Sequence, residues 1–192
     1  MTSYYGKRVL IVSSSDKCFD FFERNIDSSC LTETVFSGAD AQKLLNEKEY
    51  DVVIINAPLK DQFGDELAED IVKDTCAGVI LLVKSEIFDQ VSFSMGKIGV
   101  LCLSKPISSQ MFTQGISLAF AVRERLKNTA RKTESLKEKM EEIKLISRAK
   151  LLLITKLSFT EEEAHKYIEK QAMDRCVKRS VIAYDIIKTY NN

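Results

Sequence analysis

The stretch Tyr50-Asp51-Val52-Val53-Ile54-Ile55-Asn56 decides the fold. Its four consecutive β-branched aliphatics make a short, continuous apolar run, the pattern of a strand buried on both faces of a parallel sheet. Residues 8–12 (Arg-Val-Leu-Ile-Val), 79–83 (Val-Ile-Leu-Leu-Val) and 99–103 (Gly-Val-Leu-Cys-Leu) repeat the theme, and a weaker strand is expected near 32–36. Helix-like stretches fall between them, at about 16–28, 39–48, 63–74, 85–95 and from 108 onward. Five strands alternating with five helices predict an α/β unit, doubly wound around a five-stranded parallel sheet.

Outward from that unit, the chain bounds its own class. At 192 residues it has room for one large domain or for one domain and a small appendix. Only two prolines and seven glycines occur, which disfavours long flexible linkers. Apolar runs are short and broken by charge, so no membrane-spanning helix is expected. Met1–Lys7 has no basic start leading into an apolar core, so no signal peptide is expected either. Cys18, Cys30, Cys76, Cys102 and Cys176 are odd in number and form no CxxC pair; they read as reduced, buried thiols in a cytoplasmic protein. With His165 the only histidine, metal or triad chemistry has little to work with, and no metal site, cofactor or catalytic residue is expected.

Charge is uneven. Residues 1–130 carry 14 basic and 18 acidic side chains, whereas residues 131–192 carry 14 and 10. An acidic front and a basic tail suggest two parts with different partners.

From Ser108 to Lys156 there is no proline, and after Gly115 no glycine. The composition favours helix throughout. Spacing of three and four residues picks out Val122, Leu126, Thr129, Thr133, Leu136, Met140 and Ile143, a heptad seam with a polar interruption. Such a seam needs something to cover it. A parallel two-stranded coiled coil through Val122, Leu126, Leu136, Met140 and Ile143 would do so and make the chain a homodimer; the alternative is one solvated helix folded back on its own domain. The expected division is 1–122, a linker helix over 123–142, and 143–192.

In the tail, Thr160-Glu161-Glu162-Glu163 reads as a capping box, with a Thr cap and a Glu three residues later. A helix follows through Ala164, Tyr167, Ile168, Gln171, Ala172 and Met173. A break is expected near Asp174–Val177, then a last helix with Val181, Ile182, Ala183, Ile186 and Ile187. With Ile146, Ala149, Leu152 and Leu153 these make three helices around one small core, so the whole is α/β plus all-α.

Two resemblances attach to these residues. Residues 6–125, through the stretch 50–56, Gly64 and Ser104-Lys105-Pro106, resemble a response-regulator receiver domain of flavodoxin-like fold. The resemblance implies an acidic pair after the first strand, a phosphoacceptor aspartate after the third, a hydroxyl after the fourth and a lysine after the fifth. Here Ser13 and Ser14, Asn56 and Val83 are assigned to the first three roles, and only Lys105 is kept. Mg²⁺ prefers carboxylate oxygens and an amide cannot become an acyl phosphate, so the site reads as dismantled. Lys105 is expected to bond Asn56 or loop carbonyls, or else to stand solvated. The unit is then a fold reused for contact, with a regulatory protein partner expected at the helix 85–95 and the strand and helix that follow it, where Phe88, Val91, Phe93 and Met95 are apolar.

Residues 143–188 resemble the ANTAR domain of transcription antiterminators, through Arg148-Ala149-Lys150 with Leu151-Leu152-Leu153, Glu161–Ala164, Tyr167, Ala172-Met173 with Arg175, and Ile182-Ala183 with Ile186-Ile187. The resemblance implies binding of tandem hairpins in nascent leader RNA, which keeps a terminator hairpin from forming. The candidate RNA contacts are Arg148, Lys150, Lys166, Tyr167, Lys170, Gln171, Arg175, Lys178 and Arg179, with Ala149, Ala172 and Met173 assigned to packing. The alternative is a protein adaptor using the coiled coil and helical tail without RNA.

Overall fold

The computed structural model describes residues 4–190. The first residues of the leader reading and the outer ends of the ranges 1–122 and 143–192 lie outside the described residues. The chain divides into two compact units, Met1–Asn128 and Thr129–Asn192.

In the first unit, β1 (Arg8–Ser13), β2 (Leu31–Val35), β3 (Val52–Asn56), β4 (Gly78–Lys84) and β5 (Leu101–Lys105) form one sheet in the order β2-β1-β3-β4-β5. Every pairing is parallel. The connecting helices are α1 (Phe19–Asn25), α2 (Gly38–Glu47), α3 (Asp65–Asp74) and α4 (Phe88–Gly96), and α5 (Ser109–Leu157) begins in this unit. Alternation along the strands sorts the aliphatic runs into two layers. Leu10, Val12, Val53, Ile55, Leu81 and Val83 pack with Ala41, Leu67, Ala68 and Ile71 from α2 and α3. Val9, Ile11, Val52, Ile54, Ile80 and Leu82 pack with Phe22, Phe112, Ile116, Ala119 and Phe120 from α1 and α5.

Strand β3 is buried at every residue, as its uniform composition requires. The edge strand β2 has no fully buried residue, which is why its signal is faint. β5 starts two residues later than expected. Gly99 has φ +93°, and the Val100 N–H still bonds the Met95 carbonyl at 3.1 Å, so these two residues finish α4 rather than begin a strand. Below the sheet, Asp51 accepts from the Arg8 N–H at 2.9 Å and pairs with Arg123 at 2.7 Å, both side chains about nine-tenths buried. That pair fixes α5 against the start of β3. Of the apolar residues expected on α4, Phe88, Val91 and Met95 pack onto the core, while Phe93 is 71% exposed under the Lys97 ammonium.

In the second unit, the later part of α5 joins α6 (Glu161–Asp174) and α7 (Arg179–Tyr190). Their core is Ala149, Leu153, Ala164, Ile168, Ala172, Ile182, Ala183 and Ile186. The capping box is complete: Thr160 Oγ1 accepts from the Glu163 N–H at 3.2 Å, and Glu163 Oε2 accepts from the Thr160 N–H at 2.8 Å. The Thr160 N–H and the Thr160 hydroxyl, which both donate to Glu163 Oε2, hold the Glu163 carboxyl below its usual range. α5 and α6 each end through a left-handed residue, Ser158 (φ 57°) and Cys176 (φ 51°). The Val177 N–H then reaches back to the Ala172 carbonyl at 3.0 Å, which satisfies an orphan carbonyl of α6.

Three expectations are corrected here. Met173 is 77% exposed and Val181 43%, so neither serves the core. The α6 stripe runs Ala164–Ile168–Ala172, and Met173 lies about 100° around from its last member. The cysteines are free but not buried: Cys18, Cys30, Cys76 and Cys102 are half-buried, and Cys176 is exposed on its turn. Burial nevertheless pushes the Cys102 thiol up to about 11. Among the described residues no helix is long and apolar enough to cross a membrane.

Candidate functional sites

The C-terminal ends of the strands collect the residues of the first site. Ser13 pairs in register with Asn56, and parallel partners face the same way. The Asn56 amide donates to Ser13 Oγ at 3.0 Å, and Lys105 Nζ donates to Asn56 Oδ1 at 2.8 Å and to the Ala57 carbonyl. Ser13 Oγ donates in turn to the Ser15 carbonyl at 3.2 Å, and Ser14 Oγ to the Pro58 carbonyl at 2.9 Å. Asn56 and Ser13 are buried. Lys105 thus takes both of the contacts open to it, the amide and a loop carbonyl.

Val83 does not belong to this group. Asn56 registers with Leu82, so the next β4 residue facing the same way is Lys84, which registers with Lys105. Val83 points to the opposite layer and is fully buried there. Ending the strand at 83 placed the strand-end role one residue early, and a one-residue slip reverses the face. Lys84 is therefore the residue that sequence reasoning missed, and counting by twos from Leu82 would have found it. Burial holds the Lys105 ammonium below the usual lysine range; Cys18 opposes this, and a smaller influence of the Lys84 charge adds to it. The donor set does not fit Mg²⁺, because Ser13, Ser14 and Asn56 offer neutral oxygens beside two ammonium groups.

The second site is the surface of the three-helix unit. Successive turns of α6 put Lys166 and Lys170 at the pole away from the core, with Tyr167 and Gln171 on one flank. Tyr167 is 40% exposed and meets Phe159 edge-on, centroids 5.8 Å apart. The other flank of α6 carries Glu169 and Met173 and opens into a groove completed by Glu142, Cys176, Val177, Lys178 and Arg179. Several candidate cations are already engaged: Lys150 with Glu161 at 3.0 Å, Lys166 with Glu162 at 2.6 Å, Arg175 with Asp185 at 2.7 Å and Arg179 with Glu169 at 3.3 Å. Lys150 is the most enclosed of these, and its bond holds Glu161 below the usual carboxylate range. Arg148, Lys170 and Lys178 are exposed. Tyr167 and Gln171 therefore lie on one flank of α6 and Lys178 and Arg179 in the groove on the other, with Lys166 and Lys170 between them. A further aromatic, Tyr184, is 60% exposed on the outer face of α7, with Val181 one turn before it and Lys188 one turn after.

Along α5, Val122 and Leu126 are exposed in the first unit, and Leu136, Met140 and Ile143 in the second. Thr129 and Thr133, the polar interruption, are exposed as well, and the Thr133 hydroxyl bonds back to the Thr129 carbonyl at 3.0 Å.

Comparison with known proteins agrees with both halves. A family model described as the ANTAR domain matches residues 134–187. The transcriptional regulatory protein PdtaR of Mycobacterium tuberculosis is 28% identical over 152 residues, covering 79% of this chain and 74% of that protein. Among solved structures, the signal receiver domain of an HD domain-containing protein from Pseudomonas fluorescens Pf-5 superposes with a TM-score of 0.57 at 20% identity, covering 67% of this chain and 96% of its own. A response regulator receiver domain protein from Clostridium thermocellum gives 0.56 at 20% identity, over 62% and 98%. The first unit has the receiver fold, and residues 134–187, three helices closed by the Thr160 capping box, match the ANTAR domain.

Proposed function

We propose that the protein is a transcription antitermination regulator that binds tandem-hairpin leader RNA as a dimer. The observation that carries this reading is the ANTAR match over 134–187, coincident with a folded three-helix unit. Exposed Lys166, Lys170 and Lys178 supply charge for phosphates, and Tyr167 and Tyr184 supply rings on which unpaired loop bases can stack. The exposed seam Val122, Leu126, Leu136, Met140 and Ile143 is covered by the same helix of a second copy, which brings two RNA-binding units to two hairpins. Control comes through the first unit by contact with a partner protein. Phosphate transfer is not the switch, since Asn56 cannot form an acyl phosphate. Phe93, Met111 and Leu118 give that unit an exposed apolar surface on which a partner can sit. The protein acts by binding, not by catalysis.

The test is readthrough of an intrinsic terminator in vitro, behind a leader with two hairpins, selected from RNA crosslinked to the protein in its native cell. The full chain raises readthrough on the selected leader and not on one with scrambled loops. Leu136→Glu with Met140→Glu leaves the two units folded but gives a monomer in sedimentation and abolishes readthrough. A dimer that shows no preference between the two leaders overturns the RNA reading and favours a protein adaptor.

A further inference from the structure

In the second unit, the first turns of its share of α5 sort their charges by face. The seam residues there, Thr129, Thr133, Leu136, Met140 and Ile143, are all exposed. At about 100° per residue, Lys132 and Lys139 fall about 60–80° to one side of the seam's centre, and Lys137 and Lys144 the same distance to the other. Glu134, Glu138, Glu141 and Glu142 lie about 120° or more away, on the far face with Arg131. The four lysines are exposed, and among the described residues only Lys144 of the four has an ion pair, with Glu141 on its own helix at 2.7 Å.

This order of charges bears on any second copy that covers the seam. In a parallel pair, a residue flanking one side of the seam meets the residue five places on in the other helix. Lys132 then faces Lys137 of the second copy, and Lys139 faces its Lys144. An antiparallel pair sets like flank against like flank and again opposes lysine to lysine. The carboxylates that could relieve these contacts stand on the far face. The apolar seam therefore attracts while its rims repel. Each rim is a row of four ammonium groups, two from each copy, spanning about 18 Å along the helices.

Taking the dimer and the RNA from the antitermination reading, on which this rests, we infer that RNA backbone phosphates occupy these lysine rims and thereby close the dimer. The rims are a second RNA-binding surface, apart from the loop-reading residues of α6 and α7, and the polyanion gates pairing of the helices. Ammonium groups hold phosphates as point charges, release their counterions and read no base, so any hairpin stem serves. The chain assembles on RNA rather than before it.

The experiment is sedimentation equilibrium of the full chain, with and without a two-hairpin transcript whose loops are scrambled, across a range of NaCl. Without RNA the dimer is weak and tightens by about threefold or more from roughly 0.05 to 0.5 M NaCl, because salt screens the lysine rims. Lys132→Glu with Lys139→Glu sets carboxylates against Lys137 and Lys144 of the second copy; it tightens the RNA-free dimer about tenfold and makes salt weaken it. In low salt the transcript tightens the unmodified dimer at least about tenfold more than it tightens the double variant. Arg131→Ala, which removes a cation from the far face of the same turns, behaves as the unmodified chain. An RNA-free dimer that salt weakens, or equal tightening of both proteins by the transcript, overturns the proposal and leaves the dimer and the loop-reading surface standing. A chain that stays monomeric with the transcript, yet pairs with a synthetic helix of residues 129–146 carrying glutamate in place of the four lysines, overturns it together with the homodimer, because the seam then takes an acidic helix of another protein.

Discussion

The two units hide their apolar residues in different ways. The sheet unit buries whole runs: β3 is covered along its entire length, and two separate layers of aliphatic and aromatic side chains share the load. The three-helix unit has one core of eight buried side chains, four of them alanines. Alanines let helices approach closely but remove little apolar area from water, so each large residue there carries a greater share of the stability. The sheet unit keeps the receiver fold with Ser13 and Asn56 at its strand ends. The helical unit has little to spare, and its features sit on the surface of a thin core.

The sharpest way to expose that difference is one deletion in each core. Leu153→Ala should cost about 3 kcal/mol, within the usual range for a fully buried leucine. In the helical unit this is a large part of the total, so the early half of a thermal unfolding trace should separate, with the second unit melting first. Leu10→Ala removes the same atoms from the sheet unit and should lower its transition while leaving it folded at room temperature. A single joint transition in both variants would mean that the two units unfold as one, and the comparison would fail.

How much of this was legible in the sequence follows the same division. Runs such as Val52–Ile55 announce buried strands because a parallel sheet leaves them no wet face. The faint β2 lies at the edge, where exposure removes the pattern. Strand ends were less legible, since periodicity does not mark where a strand stops. Hence β5 begins two residues beyond the start of its apolar run, and the strand-end position beside Lys105 is that of Lys84 and not of Val83. In the tail, the capping box was readable from four letters because its bonds are local. Met173 and Val181 are apolar yet exposed, because three helices so short leave uncovered some apolar residues that a larger domain would bury. The ion pairs of Lys150, Arg175 and Arg179 link different helices and had no sequence signature.

A smaller effect tests how tightly the sheet unit is built. A Cβ at Gly78 would lie 2.3 Å from the Ala119 carbonyl oxygen on α5, an approach only glycine permits. The obstacle is backbone, so it cannot swing aside. Gly78→Ala should force the start of β4 away from α5 and cost about 2 kcal/mol, as overpacking typically does. The loss should appear as a lower denaturation midpoint of the sheet unit, with the amide signals of α6 and α7 unmoved. An unchanged midpoint would show that α5 yields without cost and that the sheet unit is looser than its burial implies.

The smallest effect runs in the opposite direction and falls in the helical unit. Cys176 ends α6 with φ 51°, a conformation that crowds any Cβ against the following carbonyl. Its thiol contributes little in return: it is exposed and makes one weak bond to the Met173 carbonyl at 3.6 Å. Cys176→Gly relieves the crowding and keeps the backbone bond from Val177 to Ala172, but it also frees the unfolded chain. The balance should favour the folded state by about 0.5 kcal/mol, since relief of the left-handed strain exceeds the added chain entropy. In a unit with so small a core, that gain should be measurable as a rise in the first thermal transition, under reducing conditions that keep the native thiol from confusing the comparison. Cys176→Ala supplies the control: it removes the sulfur, retains the Cβ and should leave the transition where it was. If alanine stabilises as much as glycine, the thiol and not the backbone was the source of strain.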